Sequence, residues 1–235
     1  MDLTALYEQL PPEKQQLLDE INFLAGNLNE HLILEQFYLA LAAMSERIQK
    51  VHPAIPCPSG CSRCCESYAL PEVLPAEWEL IAAGLQQLAP ALQQQIAAAV
   101  TASAGVLENG RLRGRRRDYP GFRCPLLIDG HCAVYAVRPF DCRITGYGFS
   151  TAGERPLPSP MHRPPGQPLP YSCGSEQLRM LTELESGESP LEYMFLPQRE
   201  HLWQALQQIE PSGRGPELLL QHLLDWANAL TTPAS

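Results

Sequence analysis

Cys57-Pro58-Ser59-Gly60-Cys61-Ser62-Arg63-Cys64-Cys65 places four cysteines in nine positions, and the other four, Cys124, Cys132, Cys142 and Cys173, all lie downstream. Thiolates are soft ligands that select zinc, copper(I) or iron–sulfur clusters. Three of them spaced x3 and then x2 on a tight turn can converge on one centre. Pro58 fixes one backbone angle and Gly60 permits a left-handed one, so the loop can wrap with its amides facing the sulfurs. The run therefore reads as the anchor of a metal or iron–sulfur site.

Disulfides suit small secreted proteins, but this chain opens Met-Asp-Leu-Thr-Ala-Leu-Tyr-Glu, without the basic and apolar segments of a signal peptide. A cytoplasmic location with reduced thiols is expected. Buried single cysteines explain one or two of the eight, not four packed among Pro, Gly, Ser and Arg. Cys64 and Cys65 are neighbours, and neighbouring side chains point about 100° apart on a helix or to opposite faces of a strand. One of the two is therefore expected to serve a second centre. The eight cysteines then divide into two four-ligand sites, or into one cluster and a smaller site.

Upstream of the run, residues 1–51 read as helical. A short amphipathic piece over residues 3–10 stops at Pro11-Pro12, and Leu17, Leu18, Ile21 and Leu24 then recur at helical spacing. After residues 27–29 the pattern resumes with Leu32, Ile33, Phe37, Leu41 and Met44. This is the pattern of a helical hairpin. Residues 52–56 carry two prolines and approach the cysteines in extended form.

Downstream, residues 68–74 suggest one strand. Pro75-Ala76-Glu77 opens a helix, and Pro90 opens another that should run to about Glu108. Residues 111–117 hold five arginines in seven positions and read as a solvated loop. Asp129-Gly130, between two apolar runs, is a hairpin signal. A two-residue loop would pair Leu127 with Cys132 and send Cys124 to the other face; a three-residue loop would put both cysteines on one face. Pro139 can begin a helical turn that brings Cys142 near the hairpin. Arg138 and Arg143 either offset thiolate charge or are ordinary surface residues. Residues 154–170 contain seven prolines, form an irregular crossing and deliver Cys173. Helices follow from Ser175 through Leu184, after Pro190 to about Ile209, and after Pro216 through Leu230, with Trp203 and Trp226 as core anchors.

The expected architecture is mainly α with a small β-hairpin and short-strand metal-binding core, an irregular α+β arrangement. Its segments are an N-terminal helical hairpin (1–51), a cysteine-cluster core with inserted helices (52–175) and C-terminal helices (176–235). A net charge of −9 argues against nucleic-acid or acidic-membrane partners. No apolar run approaches the roughly 18–20 residues that span a bilayer. A protein or redox partner is the expectation, with the oligomeric state open.

Taken in order, Cys57-x3-Cys61-x2-Cys64-Cys65, Cys124-Pro-Leu-Leu, Asp129-Gly-x-Cys132-x-Val-Tyr135 and Arg138-Pro-x-x-Cys142-Arg143 resemble the bacterial cysteine-cluster family of YkgJ type, described as zinc- or iron-chelating domains. The resemblance covers about residues 57–145, together with Cys173, and implies a metal-binding core. Flagellin lysine methylases carry a similar cysteine cluster, which implies a possible iron–sulfur centre and S-adenosylmethionine. This chain is shorter and has no nucleotide-binding loop, so the methylase activity is not carried over.

Cys-x3-Cys-x2-Cys is also the spacing of radical S-adenosylmethionine enzymes. Here Arg63 stands where an aromatic residue is usual, and the alternating strand–helix units of such barrels are missing. Zinc sites usually pair Cys-x2-Cys knuckles, and Cys61/Cys64 is the single such pair. A cluster tolerates scattered ligands, so an iron–sulfur cluster of [4Fe–4S] type is expected, with zinc as the alternative. His52 and His131 read as ordinary polar residues. Three functions follow: an electron-transfer, redox or partner-docking protein holding a cluster; a zinc-binding structural or trafficking module; or an S-adenosylmethionine-dependent iron–sulfur enzyme. The sequence offers no acid, base or nucleophile arrangement for catalysis.

Overall fold

Proline sets the helix starts. Pro12, Pro75 and Pro90 each stand in the first helical turn, where the missing N–H costs nothing and the fixed φ favours entry. A computed structural model describes residues 3–51, 62, 65–66, 70–108, 111–112, 122–145, 150–151, 169–170, 195–210 and 212–231. Its helices are α1 (Leu3–Tyr7), α2 (Pro12–Gly26), α3 (Leu34–Val51), α4 (Pro75–Gln86), α5 (Pro90–Ser103), α6 (Phe140–Ile144), α7 (Arg199–Gln208) and α8 (Leu219–Thr231). The strands, two residues each, are β1 (Glu72–Val73), β2 (Leu107–Glu108), β3 (Arg111–Leu112), β4 (Leu127–Ile128), β5 (His131–Cys132), β6 (Ser150–Thr151), β7 (Leu169–Pro170) and β8 (Glu217–Leu218). They pair antiparallel as β1–β8, β2–β3, β4–β5 and β6–β7. The described chain is thus mainly helical with short antiparallel strands, the fold class expected from its periodicity.

Some boundaries differ. The helix from Pro90 stops at Ser103 rather than about Glu108, giving way to a 3-10 turn (Ala104–Val106) and then β2. The strand over residues 68–74 contracts to β1, whose partner β8 lies far away in sequence. The expected helix over 175–184, the prolines of 154–168, the arginines of 113–117 and residues 52–56 lie outside the described residues.

Contacts group the chain into two compact units, each discontinuous: Met1–Cys57 with Arg143–Ile209, and Pro58–Cys142 with Glu210–Ser235. The 52–175 segment therefore contributes to both. In the first unit α2 and α3 pack on one another. Leu18 and Ile21 of α2, and Phe37, Leu41, Met44 and Ile48 of α3, are fully or almost fully buried. Their i, i+3, i+4, i+7 spacing forms an apolar stripe, and each buried side chain contributes about 1.5–3 kcal/mol. The Glu20–Arg47 pair, 2.7 Å apart, is partly solvent-exposed and adds little to that burial.

In the second unit α5 packs along α8. The core holds Val73, Ile81, Leu85, Ile96, Val100, Leu126, Val134, Leu220 and Leu223. Gly84 is the contact point of α4 with the 3-10 turn Tyr135–Val137: a Cβ there would lie 2.6 Å from Val137 Cγ2. Only glycine admits so close an approach. No helix among the described residues is long and apolar enough to cross a membrane.

Candidate metal centre

Of the eight cysteines, Cys57, Cys61, Cys64 and Cys173 lie outside the described residues. Cys65, Cys124, Cys132 and Cys142 are described; each is half-buried and none is in a disulfide. All four belong to the second unit.

Cys65 is helical, and beside it the Glu66 amide donates to the Ser62 carbonyl at 3.0 Å and the Ser62 hydroxyl to Glu66 Oε1 at 3.1 Å. The Cys65 carbonyl accepts the Cys124 amide at 2.9 Å. This bond ties Cys65 to the segment that leads into the hairpin far downstream.

Cys124 itself opens a reverse turn. The Leu127 amide donates to the Cys124 carbonyl at 3.0 Å, with Pro125 at the position whose fixed φ suits it. The hairpin follows directly. Leu127 pairs with Cys132 and Ile128 with His131, leaving Asp129 and Gly130 as a two-residue loop. Their φ values of 50° and 78° are the left-handed pair that such a loop requires. Of the two loop lengths open to the sequence, the shorter is formed. Its consequence for Cys124 is nevertheless different from simple alternation: β4 begins at Leu127, so strand parity does not extend back to Cys124. Cys124 and Cys132 both pack against the same apolar core.

Cys142 lies in α6, which begins just after Pro139 as expected. Its position is set by a residue that sequence reasoning treated only as a helix-start acid. Glu77, 1% exposed, accepts the Leu74 amide at 3.0 Å through Oε2 and the Phe140 amide at 2.7 Å through Oε1. One carboxylate thus caps α4 and pins the start of α6. A second carboxylate completes the α4 terminus: Glu210 Oε2 accepts the Ala76 amide at 2.9 Å, and Oε1 accepts the Ser212 amide at 2.9 Å. Burial opposes ionisation of Glu210. The bonds from Ala76 and Ser212, with Arg214 nearby, outweigh it and carry the pKa below the ordinary value. Pro75-Ala76-Glu77 signals the helix start in sequence; nothing local signals that Phe140 and Glu210 meet it.

The arginines flanking Cys142 lie on aromatic rings. The Arg138 guanidinium stands 3.8 Å from the Tyr135 ring centre and donates to the Tyr135 carbonyl at 3.0 Å; that of Arg143 stands 3.9 Å from the Tyr38 ring centre. His131 is exposed, its Nδ1 2.9 Å from the Asp129 carbonyl, and so belongs to the hairpin turn. His52 lies outside the described residues. Among the described residues no group of three or more His, Cys, Asp or Glu side chains converges as a complete ligand set.

Two further features of the second unit stand apart from the cysteines. His222 stacks on Trp78 with ring centres 4.9 Å apart, and its Nε2 is buried without a hydrogen bond, 3.7 Å from Glu217 Oε2. Burial pushes the His222 pKa below its ordinary value, against the opposing pull of Glu217 and Asp225. An open, mostly apolar groove of about 760 Å³ runs between α5 and α8, lined by Gln93, Ala97, Ala98, Thr101, Leu230 and Thr231. Trp226 packs against the core, and Trp203 receives Arg199 over its ring at 5.6 Å.

The chain matches no protein-family model, no curated protein and no solved structure.

Proposed function

We propose that this chain is a metal-binding protein, holding an iron–sulfur cluster of [4Fe–4S] type through its clustered cysteines, with room in the eight for a second site. Its role is electron transfer, redox sensing or the docking of a protein or redox partner, in the cytoplasm. The observation that carries this reading is the bond from the Cys124 amide to the Cys65 carbonyl, which ties Cys65 to the segment that leads into the hairpin. Half-burial of the thiols beside an apolar core supports it, because partial exclusion of water strengthens thiolate–metal interaction. The ordered cysteine motifs that resemble the YkgJ-type family support it too.

Cys65 and Cys124, joined through their backbones, are the first candidate donors, and Cys132 packs on the same core as Cys124. Cys57, Cys61 and Cys64, close to Cys65 in sequence, and Cys142 and Cys173 are the further candidates. A bound cluster supplies one-electron chemistry. The chain's own contribution is to hold the thiolates, exclude water through Leu126 and Val134, and fix the start of α6 through Glu77.

Elemental analysis with electron paramagnetic resonance, on protein isolated without oxygen, tests the proposal. Iron with acid-labile sulfide and a broad visible charge-transfer band is the expected result. A colourless protein with stoichiometric zinc would replace it by the zinc-binding structural or trafficking module. A spectral response to S-adenosylmethionine under reducing conditions would move it to the enzyme class. Absence of both metals would end the reading. Cys124→Ser should lose metal that Arg113→Ala retains.

A further inference from the structure

Among the described residues, two cysteines share a backbone hydrogen bond. The 2.9 Å bond between the Cys124 amide and the Cys65 carbonyl holds the two Cα atoms within roughly 7 Å of one another, a range that overlaps the window of about 4.4–6.8 Å that a disulfide spans. Both residues are thiols in the described structure, and both are half-buried, so each keeps a path to solvent. Cys65 is helical and Cys124 takes the first position of a reverse turn.

We propose that Cys65 and Cys124 close into a reversible disulfide when no metal engages them, making the pair a redox latch on the site. The latch rests on the metal reading for its trigger; the bond itself rests on the juxtaposition alone. The oxidant is a small-molecule disulfide, RSSR. One protein thiolate attacks an RSSR sulfur and expels RS⁻; the second attacks the resulting mixed disulfide at the protein sulfur and expels the other RS⁻. Two protein thiols lose two electrons and two protons, and RSSR leaves as two RSH. Sulfurs bonded to one another are no longer thiolate ligands, so closure blocks metal binding and reduction restores the site.

The test uses the full chain, stripped with a chelator under reductant, freed of reductant and exposed to oxidised glutathione. Alkylation, tryptic digestion and mass spectrometry follow. Trypsin leaves Cys64 with Cys65, and Cys124 with Cys132 and Cys142, so fragment spectra must be read beside single variants. The expected result is a cross-link between the two fragments that Cys124→Ser abolishes, leaving a glutathione adduct on Cys65, and that Cys132→Ser and Cys142→Ser retain. Circular dichroism on each variant separates loss of fold from loss of link. A cross-link running instead to Cys132 or Cys142, or none at all, would overturn the proposal. So would equal oxidation of metal-loaded and metal-free protein. A chain isolated without metal that still forms the link keeps the bond and removes the metal reading; a metal-loaded chain that forms no link once stripped does the reverse.

Discussion

Between α2 and α3 the contact is made by side chains such as Ile21, Phe37 and Met44, buried in sequence-local stripes. Around Cys65, Cys124 and α6 the chain is fixed instead by backbone groups and carboxylates that meet across long sequence separations: Cys124 to Cys65, Phe140 to Glu77, Ala76 to Glu210. The first kind of contact is non-directional and tolerates exchange of one apolar shape for another. The second is directional, and removing one partner leaves the other buried without a bond. A region that fixes particular backbone groups across long sequence separations needs the second kind, because apolar packing alone does not place a particular atom.

The comparison can be broken by substitution. Phe37→Ala should cost the most, about 3–5 kcal/mol in denaturant unfolding, while Phe37→Leu recovers most of it, as an apolar contact requires. Glu77→Ala should follow at about 2–4 kcal/mol, since it orphans the Leu74 and Phe140 amides together. No apolar replacement should rescue it, and Glu77→Gln should recover only part. If Glu77→Ala proved as mild as the exposed Gln94→Ala, the contrast between the regions would disappear. Gly84→Ala should cost about 1–3 kcal/mol despite the better helix propensity of Ala, because its Cβ meets Val137.

The smallest effect is a pH dependence. Burial depresses the His222 pKa in the folded chain, so the unfolded chain takes up its proton first as pH falls through 6.5. The stability contributed by the neutral ring is therefore present above pH 6.5 and is lost as pH falls through the depressed folded value. His222→Phe, which keeps a ring against Trp78, should flatten thermal stability between neutral pH and that value. Glu210 acts lower: its contribution is present above pH 4.5 and fades as pH falls through its own depressed value, so Glu210→Gln should alter only the more acid limb.

How much of this was legible in the sequence follows from the same contrast. The α2–α3 stripes, the starts at Pro12, Pro75 and Pro90, and the turn at Asp129-Gly130 are local signals, and each is met by the structure. Strands of two residues carry no periodicity to read, so β1 shrank and β2, β3 and β8 were missed. The hairpin's register was open in sequence because both loop lengths suit Asp-Gly, and alternation misplaced Cys124 because the Pro125 turn ends the strand before reaching it. Glu77 was visible as a cap but not as the anchor of Phe140, and Glu210 gave no signal at all: both bonds depend on where distant chain returns. The sequence shows eight cysteines, and the fold adds that the backbones of Cys65 and Cys124 adjoin.

The α4 terminus also determines where residues 143–209 depart and come back. Phe140 is bonded to Glu77 and Glu210 to the adjacent Ala76, so the exit near Cys142 and the re-entry at Glu210 sit side by side. That stretch belongs with residues 1–57 to the first unit, so the second unit is interrupted once and its two segments are both tied to the start of α4. A chain that begins at Pro58 and joins Cys142 to Glu210 through a few glycines should therefore fold as the second unit alone, with the Cys65–Cys124 backbone bond intact.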